Sequence, residues 1–280
     1  MNMAGKLSVV ATPIGNRGDI SLRALETLRV ADTVLAEDTR VTGKLLRAFD
    51  IHANIERCDE NVIAKRSPVL VERMLVGEKL AFCSDAGTPG VSDPGSVLVD
   101  AARDAGVTVE VIPGPSAVTA AVAAAGFPGT AFYFGGFLPR KEKQRVELLE
   151  ALSALDAALV FYESPHRVAA SVASIAQVLG TREVALCREL TKMHEEVLRL
   201  PAGELKADLE GREAIKGEIV LVVEPPRAVD SDVDLSSPEL AERIKAELAK
   251  GTPTSELARE LSEELGAPKN ALYELILSLS

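Results

Sequence analysis

Short apolar runs alternate with segments of helical spacing from Leu7 to Val223. Leu7–Val10 is the first run, and it stops at Thr12-Pro13-Ile14-Gly15-Asn16, a stretch rich in chain breakers. Leu22, Leu25, Leu28 and Val30 then recur close to helical spacing and predict a helix over Ser21–Val30. Thr33–Ala36 reads as a second strand, and Leu45, Leu46 and Phe49 give the next helix its apolar face. A helix over Val62–Leu75 carries Pro68, which is expected to kink or delay it. Leu80–Cys83 and Val107–Ile112 are further strands on either side of a helix over Ser96–Ala105, and Pro113-Gly114-Pro115-Ser116 caps an alanine-rich helix. Strands separated by helices at this spacing imply a largely parallel sheet covered on both faces.

A second α/β unit starts near Gly126. Its strand candidates are Phe132–Phe134, Ala158–Tyr162, Val184–Leu186 and Ile219–Val223, with helices over Lys141–Leu152 and Val168–Leu179. Pro225-Pro226 and the acidic stretch Asp230–Asp234 read as a linker. From Pro238 onward the pattern is helical, broken at Gly251-Thr252-Pro253 and Gly266-Ala267-Pro268, which suits three short helices of helix-turn-helix type. The expected architecture is two α/β domains, residues 1–125 and 126–229, followed by a small helical domain, 236–280.

Composition narrows the function. The chain carries a formal net charge of −11, whereas proteins that bind nucleic acid non-specifically present basic surfaces. Aromatic residues make up only 4% and tryptophan is absent, which argues against base-stacking platforms. Any contact with RNA must therefore come from basic residues gathered locally. The run Arg140-Lys141-Glu142-Lys143-Gln144-Arg145 is the best phosphate-binding candidate, with Arg167, Arg188 and Lys192 as extensions; a solvated helix start is its plain alternative. Cys58, Cys83 and Cys187 are too scattered for a zinc site or a disulfide framework, and reduced thiols in the cytosol are expected. The first ten residues lack a secretory pattern, and the small-apolar stretch Ala117–Phe127 is too short to cross a bilayer. His52, His166 and His194 have no metal-ligand spacing, so no metal is expected.

Three polar loops rich in glycine or proline directly follow strand candidates: Pro13–Gly18, Asp85–Gly95 and Pro113–Ser116. In open α/β sheets ligands bind beyond the carboxyl ends of the strands, and such loops let the backbone approach a ligand closely. One loop alone reads as a tight turn; three on one sheet edge favour a nucleoside-like ligand. Neither G-x-G-x-x-G nor G-x-x-x-x-G-K-[ST] occurs, so dinucleotides and nucleoside triphosphates lack their mechanism. Asp85 is the carboxylate candidate for a cationic amino acid or ribose hydroxyls, and Asp93 reads as a helix cap. Glu37-Asp38-Thr39-Arg40 sits at another strand end. Its carboxylates orient a nucleophile or its proton, or else Asp38 or Thr39 merely caps the next helix and Glu37 pairs with Arg40. Asp59-Glu60-Asn61 carries the same ambiguity.

Together these motifs resemble one family. Thr12–Asn16, Ala36–Arg40, Ser84–Pro89 with Ser92–Gly95, and Pro113–Ser116 are similar to the ribosomal RNA small subunit methyltransferase I family of the tetrapyrrole methylase superfamily. Gly136–Pro139, Phe161–Arg167, Arg188–Lys192 and Lys216–Glu218 match as well, so the resemblance runs in order from Leu7 to Glu224. It implies two α/β domains with S-adenosylmethionine in the cleft between them, usually in a homodimer, and 2′-O-methylation of cytidine 1402 in the decoding centre of 16S rRNA. By position it assigns Pro13, Ile14, Asp85, Thr88, Ser116, Ala117, Tyr162, Leu190 and Glu218 to the cofactor. The candidates for the base that takes the ribose proton are Asp38, Glu37 and Glu60, in that order, with Arg40 on the neighbouring phosphate. Arg57-Cys58 lacks the histidines associated with the family, which leaves a histidine base there unsupported. A precorrin-type tetrapyrrole methyltransferase is the alternative on the same fold, and a non-catalytic RNA-binding module the other; Glu37–Arg40, Phe161–Arg167 and the helical tail favour RNA.

Overall fold

The computed structural model describes residues 5–226, 235, 237–250, 252–265, 267 and 269–279. One compact unit of the chain, Met1–Pro225, holds two five-stranded sheets. The first sheet is built from β1 (Lys6–Val10), β2 (Thr33–Ala36), β3 (Ile55–Arg57), β4 (Lys79–Cys83) and β5 (Thr108–Ile112). Its order is β3-β2-β4-β1-β5, and every neighbouring pair is parallel. The helices between these strands are α1 (Leu22–Val30), α2 (Thr39–Ala48), α3 (Ile63–Leu75) and α4 (Gly95–Asp104). They cover both faces, as the sequence pattern predicts. Along β4, Leu80 and Phe82 pack toward α3 and α4, while Ala81 and Cys83 enter the opposite cluster with Leu28 and Leu46. That alternation is the period of a strand with two dry faces.

After β5 comes α5 (Ala117–Ala125), which packs on the second sheet rather than the first: Val118, Ala121 and Ala125 cluster with Val160, Ala185, Cys187 and Val220. Its small side chains let helix and sheet approach closely, which explains the alanine run. The second sheet comprises β6 (Phe132–Phe137), β7 (Ala158–Glu163), β8 (Glu183–Arg188), β9 (Glu196–Pro201) and β10 (Ile219–Val223). Its order is β6-β7-β10-β8-β9; only β6 and β7 run parallel. Its other face is covered by α6 (Glu142–Leu152), α7 (Val168–Leu179) and α8 (Ala202–Glu210) around Leu159, Phe161, Leu221 and Val223.

Three differences from the sequence expectation have physical causes. Helix α3 is unbroken through Pro68. Pro68 and Ala64 are both exposed, so the carbonyl that loses its N–H partner can be hydrated. Strand β3 is short and half-exposed, and its three residues are too few to register a period. Strand β9 alternates half-buried and exposed positions at a sheet edge, followed directly by α8, where no long apolar run announces either element.

The second unit, Pro226–Ser280, contains α9 (Pro238–Ala249), α10 (Thr254–Leu265) and α11 (Lys269–Leu279), the three helices expected, around Ile244, Leu257, Leu261, Leu272 and Ile276. The expected linker at Asp230–Asp234, and Gly251, Gly266 and Pro268 at the helix breaks, lie outside the described residues. Among the described residues, no helix is long and apolar enough to cross a membrane.

Candidate active site

Because β4, β1 and β5 are adjacent and parallel, the loops at their carboxyl ends come side by side. They are also stitched together. Thr12 and Gly87 exchange backbone hydrogen bonds of 2.8 and 3.0 Å, joining the first loop to the second. The Thr88 hydroxyl donates to the Pro115 carbonyl at 3.1 Å, joining the second to the third. Within the second loop, Asp93 accepts from the Gly90 and Gly95 amides at 2.8 and 2.7 Å, the local capping role the sequence suggested. Ser116 stands at the N-cap of α5 but makes no capping bond with its side chain.

These loops and the second sheet enclose a hollow of about 360 Å³, within the range typical of small-molecule sites. Five of the nine residues expected at a cofactor line it: Ile14, Ala117, Tyr162, Leu190 and Glu218. Pro13, Asp85, Thr88 and Ser116 do not; they sit on the same stitched turns beside it. The Tyr162 ring is held edge-on by Phe134 and Phe137, at centroid distances of 4.9 and 5.7 Å. Burial raises the Tyr162 pKa, and the charges of Asp93 and Glu218 add to that. Glu163, Cys187 and Gly217 also line the hollow and escaped sequence reasoning as cofactor contacts. The Glu163 side chain is wholly buried at the end of β7. It accepts from the Ser164 amide at 2.8 Å and the Ser171 hydroxyl at 2.5 Å, and lies 3.4 Å from the Arg167 guanidinium. Its position at a strand end was the one available signal.

The rim is closed by a contact between the first loop and the turn after β8. The Asn16 amide donates to the Thr191 hydroxyl at 3.0 Å. A side chain on Gly15 would come within 2.5 Å of Lys192 Cγ, so only glycine permits this approach. Glu189 and Thr191 both adopt positive φ, 52° and 67°, a strained backbone of the kind found at binding sites. Lys192 Nζ donates to Glu189 at 2.7 Å and to Glu218 at 2.9 Å. Burial opposes its charge, but these bonds prevail and raise its pKa.

A second, polar hollow of about 340 Å³ opens at the ends of β2 and β3, lined by Glu37, Asp38, Thr39, Arg40, Arg57 and Asp59. Its wall is tied to that of the first by consecutive residues: Ala86 lines the apolar hollow, while the Asp85 carboxylate accepts from the Asp38 amide at 2.9 Å. The order of candidate bases changes here. Asp38 is the N-cap of α2; it accepts from the Arg40 amide at 2.8 Å and binds the Arg40 guanidinium at 3.0 and 2.6 Å. The Arg40 hydrogen bonds hold its carboxyl well below the usual carboxylate range, which removes it as first choice for accepting a proton. Glu37 does not pair with Arg40. Burial raises its pKa, reinforced by the charge of Asp85. Glu60 is exposed and does not line the hollow, because the turn after β3 presents Asp59 there instead.

The basic run is corrected as well. Arg140, Lys141 and Lys143 are exposed, but Arg145 is only 5% exposed. Its guanidinium donates to the Ser174 hydroxyl at 2.9 Å and to the carbonyls of Pro139, Arg140 and Ala170 at 3.2–3.3 Å. Inward-facing and fully used, it is a strut between α6 and α7 and unavailable to phosphate. Arg145→Met should therefore cost about 2–4 kcal/mol in urea unfolding, since it orphans these acceptors, and leave RNA affinity unchanged. Arg167 is part-buried, pairs with Glu163 and donates to the Leu138 carbonyl. Arg188 and Lys192 are engaged by Glu196 and by Glu189 with Glu218, so neither extends the run.

The family model for Tetrapyrrole (Corrin/Porphyrin) Methylases matches residues 6–206. A protein of Escherichia coli O157:H7 named ribosomal RNA small subunit methyltransferase I is 42% identical over 99% of this chain and 96% of its own length. A Thermotoga maritima protein of the same name is 43% identical over 78% of this chain and 98% of its own. Among solved structures, uroporphyrin-III C-methyl transferase from Thermus thermophilus complexed with S-adenyl homocysteine superposes with a TM-score of 0.55 at 17% identity, over 79% of this chain and 97% of that one. At that identity the likeness speaks for the fold alone.

Proposed function

Because the chain belongs to the tetrapyrrole methylase family and, within it, to the ribosomal RNA small subunit methyltransferase I family, we propose that it methylates the ribose 2′-hydroxyl of cytidine 1402 in the decoding centre of 16S rRNA, with S-adenosylmethionine as donor. Methylation of ribosomal RNA follows from the membership; the acceptor atom and nucleotide are the finer part of the reading. Assembly as a homodimer and a cytoplasmic location belong to the same reading. The observation that carries it is the tie between the walls of two neighbouring hollows: Ala86 lines the apolar one, and the adjacent Asp85 accepts from the amide of Asp38, which lines the polar one.

The first hollow fits the donor. Ile14, Ala117, Tyr162 and Leu190 offer apolar walls for its adenosyl body, with Pro13, Thr88 and Ser116 on the adjoining turns. At the rim Glu189 and Glu218 share a single ammonium, that of Lys192, so one carboxylate's charge is left over for a cationic ligand. Asp85 adds another carboxylate on the loop between Ala86 of the first hollow and Asp38 of the second. Held there, S-adenosylmethionine would supply a methyl carbon made electrophilic by its sulfonium. The protein's share is then largely alignment, which is worth about 7–11 kcal/mol over free encounter. Glu37 accepts the proton of the ribose hydroxyl: it is the carboxylate in the second hollow that retains affinity for a proton. Arg40 faces outward toward the neighbouring phosphate, and the exposed Arg140, Lys141 and Lys143 offer further phosphate contacts.

Radiolabelled donor offered to small ribosomal subunits lacking the modification, to naked rRNA and to a precorrin tests the reading. Label should appear on the subunit, in a 2′-O-methylated cytidine. Label on the precorrin, or on a base of the RNA, would overturn it.

A further inference from the structure

Two ion pairs of mirrored sequence flank the acidic hollow. Asp38-Thr39-Arg40 follows β2, and Arg57-Cys58-Asp59 crosses the end of β3. The two strands are neighbours with Ala36 opposite Arg57, and the Cys58 amide donates to the Ala36 carbonyl at 2.7 Å, carrying the ladder one residue further. Each guanidinium is bound side-on. Arg40 meets Asp38 through Nε and Nη2 at 3.0 and 2.6 Å; Arg57 meets Asp59 through Nε at 2.7 Å and through Nη2. Among the described residues, Nη1 of each arginine has no protein partner.

The layering decides what an approaching ligand meets. The arginine side chains are 85% and 62% exposed, their carboxylate partners only 27% and 15%. The carboxylates lie underneath and the cationic edges outermost. The turn bearing Arg57 is braced on both sides: Arg66 donates to the Arg57 carbonyl and pairs with Glu56, while Asp59 accepts from the Asn61 amide at 3.2 Å. Two forked donors, Arg40 in the first turn of α2 and Arg57 at the end of β3, present the geometry that phosphate oxygens require. In a chain of net charge −11, the attraction for an anion has to be supplied at close range by groups so placed.

We propose that Arg57 joins Arg40 in a two-pronged grip on the phosphates that flank the target ribose, seating the sugar over Glu37. The grip rests on the RNA-methylation reading above and extends it to a residue that reading does not use. Asp38 and Asp59 are positioning residues: each aims an arginine and accepts no proton from substrate.

The test compares wild type with Arg40→Gln, Arg57→Gln and the double variant. Methyl transfer to unmodified small subunits is followed across a range of salt, donor affinity by calorimetry, and folding by thermal denaturation. Each single change should raise the KM for subunits about tenfold, and the two together more than either alone. The salt slope of log KM should drop by about one per arginine removed, with donor affinity and the melting temperature unchanged. Arg57→Lys should restore the salt slope and only part of the affinity, because it keeps the charge but not the fork. An unchanged KM and slope in Arg57→Gln, with active wild type, overturns the grip and leaves the proposed function standing. Loss of donor binding in parallel with subunit affinity marks a structural role and overturns it too. Wild type that labels no subunit overturns the functional reading, and the grip with it.

Discussion

Glu37→Gln is expected to slow methyl transfer about 10²- to 10⁴-fold while leaving donor affinity unchanged, the loss associated with removing a general base. Glutamine keeps the size and the hydrogen-bonding shape of the side chain but cannot accept the proton. Glu37 is suited to the task because burial and the Asp85 charge hold its pKa above the ordinary carboxylate value. Activity needs the ionised form, so the wild-type rate should rise with pH through that raised pKa, and the acid limb should vanish from the residual activity of the variant. Stability moves the other way. The folded protein binds this proton more tightly than the unfolded chain, so the contribution of Glu37 to stability falls as pH rises between the unfolded and folded pKa values. The variant should therefore be at least as stable as wild type at neutral pH. A Gln variant with wild-type kcat, or one whose acid limb persists unchanged, would remove Glu37 from the base role. Asp38→Asn provides the contrast. It frees Arg40 and loosens the start of α2, so its effect should fall on subunit KM more than on kcat.

All strands of the first sheet except β3 were legible because each is a short apolar run stopped by breakers, and Thr33–Ala36 there and Ile219–Val223 in the second sheet coincide with the observed bounds. So was the meeting of the three loops, since parallel strands with helices between them bring their carboxyl ends to one edge. Side-chain roles were less accessible. Asp38 and Glu37 are adjacent carboxylates in sequence, and nothing in their order says which one the Arg40 guanidinium will neutralise; a cap geometry decides it. Arg145 reads like its neighbours in a basic run, yet its place on α6 turns it toward Ser174 and the α7 backbone. Arg57 was passed over because β3 was too short to recognise, and only the pairing of β2 with β3 brings its ion pair beside that of Arg40. Glu163 illustrates the same limit: its burial depends on Ser171 and Arg167, residues of the following turn and helix that satisfy a carboxylate the sequence alone would place at a surface.

Gly217→Ala should weaken donor binding about 10- to 100-fold and lower stability by about 1–3 kcal/mol, although the mutation adds a single methyl group. Gly217 has a φ of 96°, outside the range that L side chains adopt comfortably. Its added Cβ would also stand 2.4 Å from Glu189 Cγ and 2.6 Å from its carboxylate. Glu189 can leave only by giving up the Glu218 amide, which donates to it at 2.9 Å, and the ammonium of Lys192 at 2.7 Å. Those hydrogen bonds hold the Glu189 pKa down, Lys192 first, so displacing the carboxylate loses a charge-assisted network rather than one contact. Glu218 and the turn at Leu190 then lose their fixed positions on the wall of the hollow proposed for the donor, and the seat for Asn16 on Thr191 loosens with them. Calorimetry with S-adenosylmethionine measures the loss directly, and urea unfolding measures the strain. Glu189→Ala in the same background separates the two contributions. It removes the clash but not the positive φ, so it should recover only part of the stability and none of the affinity, because the carboxylate that organises Lys192 and Glu218 is still missing. Recovery of both would mean that Glu189 merely fills space, and the rim network would lose its assigned part in holding the donor.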